Sequence, residues 1–213
     1  MRHKVIKVRD LSLSTYVLRL ERKGLIFKPG QCVNLGLKGS GVNREYSTYS
    51  GTDDPYLEFL IKDVKGGSVS SALRKVSAGD EVDLHGPYGS FALDTDHIGA
   101  RHFVLIGTGT GIAPFHSFVR SYPDLSYEVI CGVRMVDERY DYKDYNGSKV
   151  TFCVSRESWE GFNGRVTDFL KSRPVDPEHV HYLCGNQKMI SEVYDFLRDE
   201  GLPGNNIFTE AFF

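Results

Sequence analysis

The hydrophobic period changes halfway along the chain, and this change restricts the fold more than any other feature. From His3 to Val8 and Thr15 to Leu20, apolar and polar residues alternate as in half-buried strands. Gln31 to Leu37, Arg44 to Tyr49, Leu57 to Asp63 and Glu81 to Leu84 are further short strand candidates, punctuated by turn signals such as Lys28-Pro29-Gly30 and Gly86-Pro87-Tyr88-Gly89. Ser68 to Val76 reads as a short helix, with Val69, Leu73 and Val76 on one face. Many short strands with Gly/Pro punctuation predict an antiparallel β-barrel. Beyond it the strands become compact apolar runs of buried parallel type: Phe103–Ile106, Val129–Cys131, Val150–Val154, Val180–Cys184 and Ile207–Glu210. Helical patterns alternate with them, among them a stripe of Met189, Ile190, Val193, Phe196 and Leu197. That alternation predicts a Rossmann-like α/β domain with a parallel sheet and helices on both faces. The polar stretch Asp94–Ala100 marks the expected boundary, giving domains 1–97 and 98–213.

Charge and cysteine usage exclude several classes. The 213 residues carry a net charge of -2, so no global field favours nucleic acid or an anionic membrane. No apolar run approaches a membrane span, and Met1-Arg2-His3-Lys4-Val5 lacks a signal-peptide core, so a cytoplasmic protein is expected; a monomer is the separate expectation for its assembly. Cys32, Cys131, Cys153 and Cys184 are scattered without ligand spacing, and His179 and His181 read as flanking a buried strand; no metal site is expected.

The sharpest local signal is Gly107-Thr108-Gly109-Thr110-Gly111-Ile112-Ala113-Pro114, directly after an apolar strand and opening a helix. Glycines admit a diphosphate close to the backbone, and helix-terminal N–H groups favour its charge. A tight strand-to-helix turn is the plainer alternative. The acidic ribose ligand usual after the next strand is missing, and Arg134 stands there. Ser155-Arg156-Glu157 follows the third strand and Arg165 opens the next helix; both arginines suit a 2′-phosphate, or are solvated surface residues. In the first half, Arg44 and Tyr46 share a strand face, where Tyr46 can lie on a planar ring and Arg44 can neutralise a diphosphate. Gly66-Gly67-Ser68-Val69-Ser70 precedes the short helix and is either an anion cradle or a simple cap by Ser68.

These elements occur in an order that resembles the ferredoxin–NADP reductase family, in its bacterial ferredoxin/flavodoxin reductase type. The resemblance runs through Lys28-Pro29-Gly30-Gln31, Arg44-Glu45-Tyr46-Ser47, Leu57-Glu58-Phe59, Gly67-Ser68-Val69-Ser70 and Gly79-Asp80-Glu81-Val82. It continues through Gly86-Pro87-Tyr88-Gly89-Ser90-Phe91, Gly107 to Pro114, Ser155-Arg156-Glu157, Gly164-Arg165-Val166, Cys184-Gly185-Asn186 and the terminal Glu210-Ala211-Phe212-Phe213.

The resemblance implies a flavin-binding barrel followed by an NADP-binding domain, with the flavin held between them. Tyr46 would stack on the isoalloxazine, Arg44 would hold the flavin phosphates, and Gly67, Ser68, Val69 and Ser70 would bind phosphate. Ser47 would sit near the flavin N5, with Cys184 and Glu210 near the nicotinamide. Phe212, where many relatives have Tyr, would cover the flavin face, with Phe213 as an additional aromatic. Thr108, Gly109, Thr110, Gly111, Arg134 and Gly185 would line NADP, and Ser155, Arg156 and Arg165 would grip the 2′-phosphate, favouring NADPH over NADH. FAD is the expected flavin, with FMN as the alternative for so lean a barrel. Implied acceptors are ferredoxin or flavodoxin, met by a basic rim for which Lys62, Lys65, Arg74 and Lys75 are candidates. The alternative readings are a free-flavin or ferric reductase, the reductase component of an oxygenase, a flavin-containing electron-transfer subunit, and a nucleotide-binding α/β protein without flavin.

Overall fold

In the computed structural model, which describes residues 1–212, the chain forms two compact units. One comprises Met1–Leu93 with Ala113–Ser121, the other Asp94–Ile112 with the chain from Tyr122 onward.

The first unit is built on strands β1 (Arg2–Ser12), β2 (Thr15–Glu21), β3 (Cys32–Leu37), β4 (Arg44–Ser47), β5 (Tyr56–Lys62) and β6 (Glu81–Tyr88), with a single helical turn α1 (Ser70–Leu73). They pair antiparallel in the order β4-β3-β6-β1-β2-β5. Just past β4 the Tyr49 N–H donates to Glu58 O of β5 at 2.8 Å, so the two outer strands of the sheet meet and it curls into a barrel. Inward-facing residues of successive strands fill it: Leu18 and Leu20, Val33 and Leu35, Phe59 and Ile61, Val82 and Leu84, all nearly solvent-free. Each such side chain stabilises the barrel by about 1.5–3 kcal/mol.

Helix α2 (Ala113–Ser121) completes this unit. Its Ser117 hydroxyl donates to Ser50 O at 2.7 Å, and Arg120 grips the Asp54 carboxylate at 2.6 and 3.1 Å. The His116 ring stacks on Tyr49 with centroids 3.8 Å apart, while its Nδ1 lies 2.7 Å from Tyr49 O. A carbonyl can only accept, so that contact places the proton on Nδ1.

The second unit is a sheet of parallel strands β7 (Phe103–Thr108), β8 (Tyr127–Val133), β9 (Val150–Val154), β10 (Phe162–Asn163), β11 (Val180–Asn186) and β12 (Ile207–Phe212), ordered β10-β9-β8-β7-β11-β12. Helices α3 (Val166–Lys171) and α4 (Gln187–Asp199) pack on one face, where Val166, Leu170, Val193 and Leu197 meet Val104, Ile106, Ile130 and Leu183. Within this unit, then, the two longer helices share a face rather than dividing between both; α2, the helix after the first strand, is grouped with the barrel. The Asn186 side chain caps α4 by accepting from the Lys188 and Met189 N–H groups. Among the described residues, no helix is long and apolar enough to cross a membrane.

Two elements differ from the pattern-based expectation. The helix read over Ser68–Val76 is only α1, because burial there is confined to Val69, Ser70 and Leu73 while Lys75 and Ser77 to Asp80 are exposed. Strand β1 runs on through the half-buried Arg9 and the exposed Asp10, since backbone pairing with β2 holds these polar residues in the ladder.

Candidate functional site

In the barrel, β4 carries the first group of site candidates. Arg44 is exposed, Tyr46 half-buried and Ser47 buried, so the strand runs from solvent into the core over four residues. Tyr46 pairs with Val33 and packs against the barrel core; burial pushes its phenol up to about 12. A rigid, neutral aromatic face beside an exposed guanidinium is what a planar ring with a charged tail requires.

The segment before α1 is fixed from within. The Gly67 N–H donates to Val64 O at 2.7 Å, and the Ser70 hydroxyl accepts from the Val64 N–H at 3.2 Å. Val69 and Ser70 are buried, and Val69, rather than Ser68, stands at the cap with no side-chain bond. Gly67 and Ser68 line a groove of about 460 Å³ with Leu37, Ser71, Lys75 and Asp80. Of the segment named from the sequence, these two residues therefore face open space, while the Ser70 hydroxyl is engaged internally.

Tyr16, which the sequence reading passed over, connects the two groups. Fully buried, it donates its hydroxyl to Ser70 O at 2.6 Å. Its phenol is held well above the usual tyrosine range by burial first and by the neighbouring Tyr46 second. The Tyr46 ring and the Gly67–Ser70 turn thus belong to one end of the barrel. A lone tyrosine in an apolar strand gives no sign of this in the sequence, because the partner is a backbone carbonyl 54 residues away.

In the second unit, the candidate residues collect at the C-terminal ends of the parallel strands, where open α/β sheets bind ligands. Thr108 ends β7, and Gly109–Ile112 is a turn of 3-10 helix before α2. Gly111 is obligatory for packing: a Cβ there would lie 2.7 Å from the Cys184 carbonyl carbon and the Gly185 Cα, and closer still to Cys184 O. Gly185 answers from β11. Its φ is +126°, and a Cβ would meet Thr108 Oγ1 at 2.6 Å and Thr108 O at 2.9 Å. Gly111 therefore lets the β7 loop press onto the end of β11. The Thr108 hydroxyl accepts from the Asn186 N–H at 3.1 Å, tying the same two ends together. By contrast a Cβ on Gly109 would meet open space, and only its φ of +54° favours glycine.

Cys184 lies opposite Glu210 on neighbouring strands, its Sγ 4.0 Å from Glu210 Oε2. Burial first and Glu210 second hold the thiol well above its usual range, so it is protonated at neutral pH. Phe212, half-buried, pairs with Asn186 at the end of β12; Phe213 lies outside the described residues.

Arg134, Ser155, Arg156 and Arg165 are all exposed. Arg134 follows β8 and Ser155-Arg156 follows β9, and the Arg156 N–H donates to Arg134 O at 3.0 Å, placing the two exits side by side. Arg165 precedes α3, with its N–H on Asp168 Oδ2 at 3.0 Å. Among the described residues none of these three guanidinium groups is paired with a carboxylate. Arg173 behaves differently, gripping Glu128 bidentately at 2.7 Å on both contacts. Of the proposed basic rim, Arg74 is likewise paired, with Asp10 at 2.8 Å and Asp63 at 3.2 Å, while Lys62, Lys65 and Lys75 are exposed.

Comparison with known proteins places this arrangement. Residues 2–93 match the oxidoreductase FAD-binding domain. The ferredoxin–NADP reductase of Pseudomonas aeruginosa is 31% identical, with 89% of this chain aligned to 88% of that protein. The electron transfer component of toluate 1,2-dioxygenase from Pseudomonas putida is 32% identical over 98% of this chain and 66% of its own length. The chain spans just under two thirds of several such oxygenase-associated relatives. Among solved structures, a cytochrome P450 reductase from Amycolatopsis superposes with a TM-score of 0.89 at 28% identity, over 100% of this chain and 70% of its own. With its barrel, its parallel sheet and relatives aligned along nearly the whole chain, the protein belongs to the ferredoxin–NADP reductase family of FAD-dependent oxidoreductases.

Proposed function

We propose that the chain oxidises NADPH and passes the electrons singly to a ferredoxin or flavodoxin, with residues 1–97 holding FAD and 98–213 holding NADP. FAD held by the first unit would supply the redox chemistry, the exchange between hydride and single-electron transfer. The protein's part is placement. Tyr46 offers a flat apolar face and Arg44 an exposed charge for the FAD diphosphate, assisted by the Gly67–Ser70 turn. Ser47 holds a hydrogen-bonding hydroxyl at the buried end of β4. On the other unit, Thr108 to Gly111 and Gly185 form a close-packed backbone floor for the NADP diphosphate. Cys184 is a neutral thiol that excludes water from the nicotinamide without competing for its hydride, and Glu210 beside it is the polar partner of the same ring. Phe212, with Phe213 after it, acts as the aromatic cover of the flavin, displaced when nicotinamide enters. In this reading a near-attack arrangement contributes more than acid–base power.

The observation that carries NADPH, as opposed to NADH, is the set of Arg134, Arg156 and Arg165, exposed at strand and helix ends with no carboxylate of the described residues on their guanidinium groups. Arg156→Ala should lower kcat/KM for NADPH about 10- to 100-fold, the worth of charge-assisted hydrogen bonds, and leave NADH unaffected. Equal loss with both cofactors would refute the assignment. A second reading, the reductase component of an oxygenase, is favoured by the alignment of 98% of this chain with a dioxygenase electron transfer component. Turnover with purified ferredoxin, flavodoxin and ferric chelate separates the acceptors.

A further inference from the structure

Two acidic residues sit among the arginines at the exits of β8 and β9, where a carboxylate would ordinarily be expected to neutralise them. Neither does. Glu138 Oε2 accepts from the Arg134 N–H at 2.7 Å and from the Met135 N–H at 3.4 Å, and Glu157 Oε2 accepts from the Val136 N–H at 2.8 Å. Three successive amides at the β8 exit are therefore taken by carboxylates, one of which belongs to the β9 exit, 21 residues further on. The same two loops are joined again by the Ser155 N–H and hydroxyl on Val133 O at 3.1 and 3.2 Å, and by the Arg156 N–H on Arg134 O. Further out, the Arg139 guanidinium lies between Tyr142 and Trp159, 4.9 and 4.8 Å from their ring centres. Trp159 is itself fixed by its indole N–H on Phe162 O at 2.9 Å.

Arginine side chains carry high rotamer entropy, and a pair of them recognises an anion well only when the backbones bearing them are held. We propose that Glu157 is a positioning residue for cofactor choice: by bonding the Val136 N–H it locks the β9 exit to the β8 exit, so that Arg134 and Arg156 present one preformed face to a phosphomonoester. The inference rests on the assignment of those arginines to the NADPH 2′-phosphate. It adds that an acidic residue, whose charge alone would repel that phosphate, supports its binding through the backbone.

The test uses the full, FAD-loaded protein titrated calorimetrically with adenosine 2′,5′-bisphosphate and with 5′-AMP, together with amide exchange at Val136. Glu157→Ala should weaken the bisphosphate about three- to tenfold, the range for losing one net hydrogen bond, leave 5′-AMP unchanged, and speed exchange at Val136. Glu157→Gln keeps an acceptor oxygen without the charge and should retain both the affinity and the protection. Unchanged or tighter bisphosphate binding in Glu157→Ala would overturn the proposal, since the carboxylate would then be idle or merely repulsive; so would equal weakening of both ligands. Arg156→Ala is the control for the underlying assignment. If it leaves bisphosphate binding intact, the arginine reading itself fails and this inference with it. If it weakens binding and Glu157→Ala does not, only the positioning role is lost.

Discussion

Replacing Gly111 by alanine perturbs one backbone crossing and nothing else. The added carbon would sit 2.7 Å from two backbone atoms of β11 and still nearer to Cys184 O, against about 3.5 Å for an unstrained carbon contact. Backbone cannot turn aside as a long side chain can, so the β7 loop must lift from β11 by roughly 1 Å, an overpacking cost of about 1–3 kcal/mol. The lift strains the Thr108 hydroxyl–Asn186 N–H bond at the same place. Gly109→Ala is the internal comparison: its Cβ meets open space and the cost is the left-handed backbone alone, about 1 kcal/mol. Urea denaturation of both variants measures the difference, and fluorescence titration with NADP reads the local effect. Gly111→Ala should lose more stability than Gly109→Ala and bind NADP at least tenfold more weakly. Should Gly111→Ala prove as stable as the parent with unaltered NADP affinity, the argument from close approach is wrong.

Two further outcomes follow from buried polar groups. Tyr16→Phe removes the shorter of two hydrogen bonds to Ser70 O, the Arg74 N–H at 3.1 Å remaining, and should destabilise the protein by about 0.5–1.5 kcal/mol while weakening FAD retention, whereas the exposed Tyr88→Phe should do neither; apo-protein unfolding and flavin titration check both. His181 is buried, and desolvation lowers its pKa from 6.5 to about 4. The unfolded chain therefore binds more protons between those values, so the contribution is complete above pH 6.5 and is lost as pH falls towards 4. Its ceiling is ~3 kcal/mol. Denaturation midpoints at pH 7.5 and pH 5 should fall accordingly, and His181→Phe should flatten that slope.

What the sequence disclosed, and what it withheld, follows from the range of the interactions involved. Val150–Val154 is an interior strand whose apolar run coincides with its ladder, and its bounds are read directly. Gly111 stands out in the sequence as part of a diphosphate-binding run, and Gly185 only through the family resemblance. The additional reason, contact between the β7 loop and the end of β11, is a relation between residues more than 70 positions apart. Tyr16 and Glu157 were opaque because each acts on a main-chain group, which no residue type advertises. The two-residue β10 escaped notice because so short a strand has no period to detect.

Helix α2 has a consequence for how the protein can be made and recombined. The barrel's Tyr49, Ser50 and Asp54 depend on His116, Ser117 and Arg120, which are synthesised only after the first strand of the parallel sheet. On the ribosome the amino-terminal module must wait for residue 121 before its last hydrogen bonds can close. A chimera spliced after Leu93 would graft a barrel stripped of its own helix, so a workable exchange must carry both stretches together.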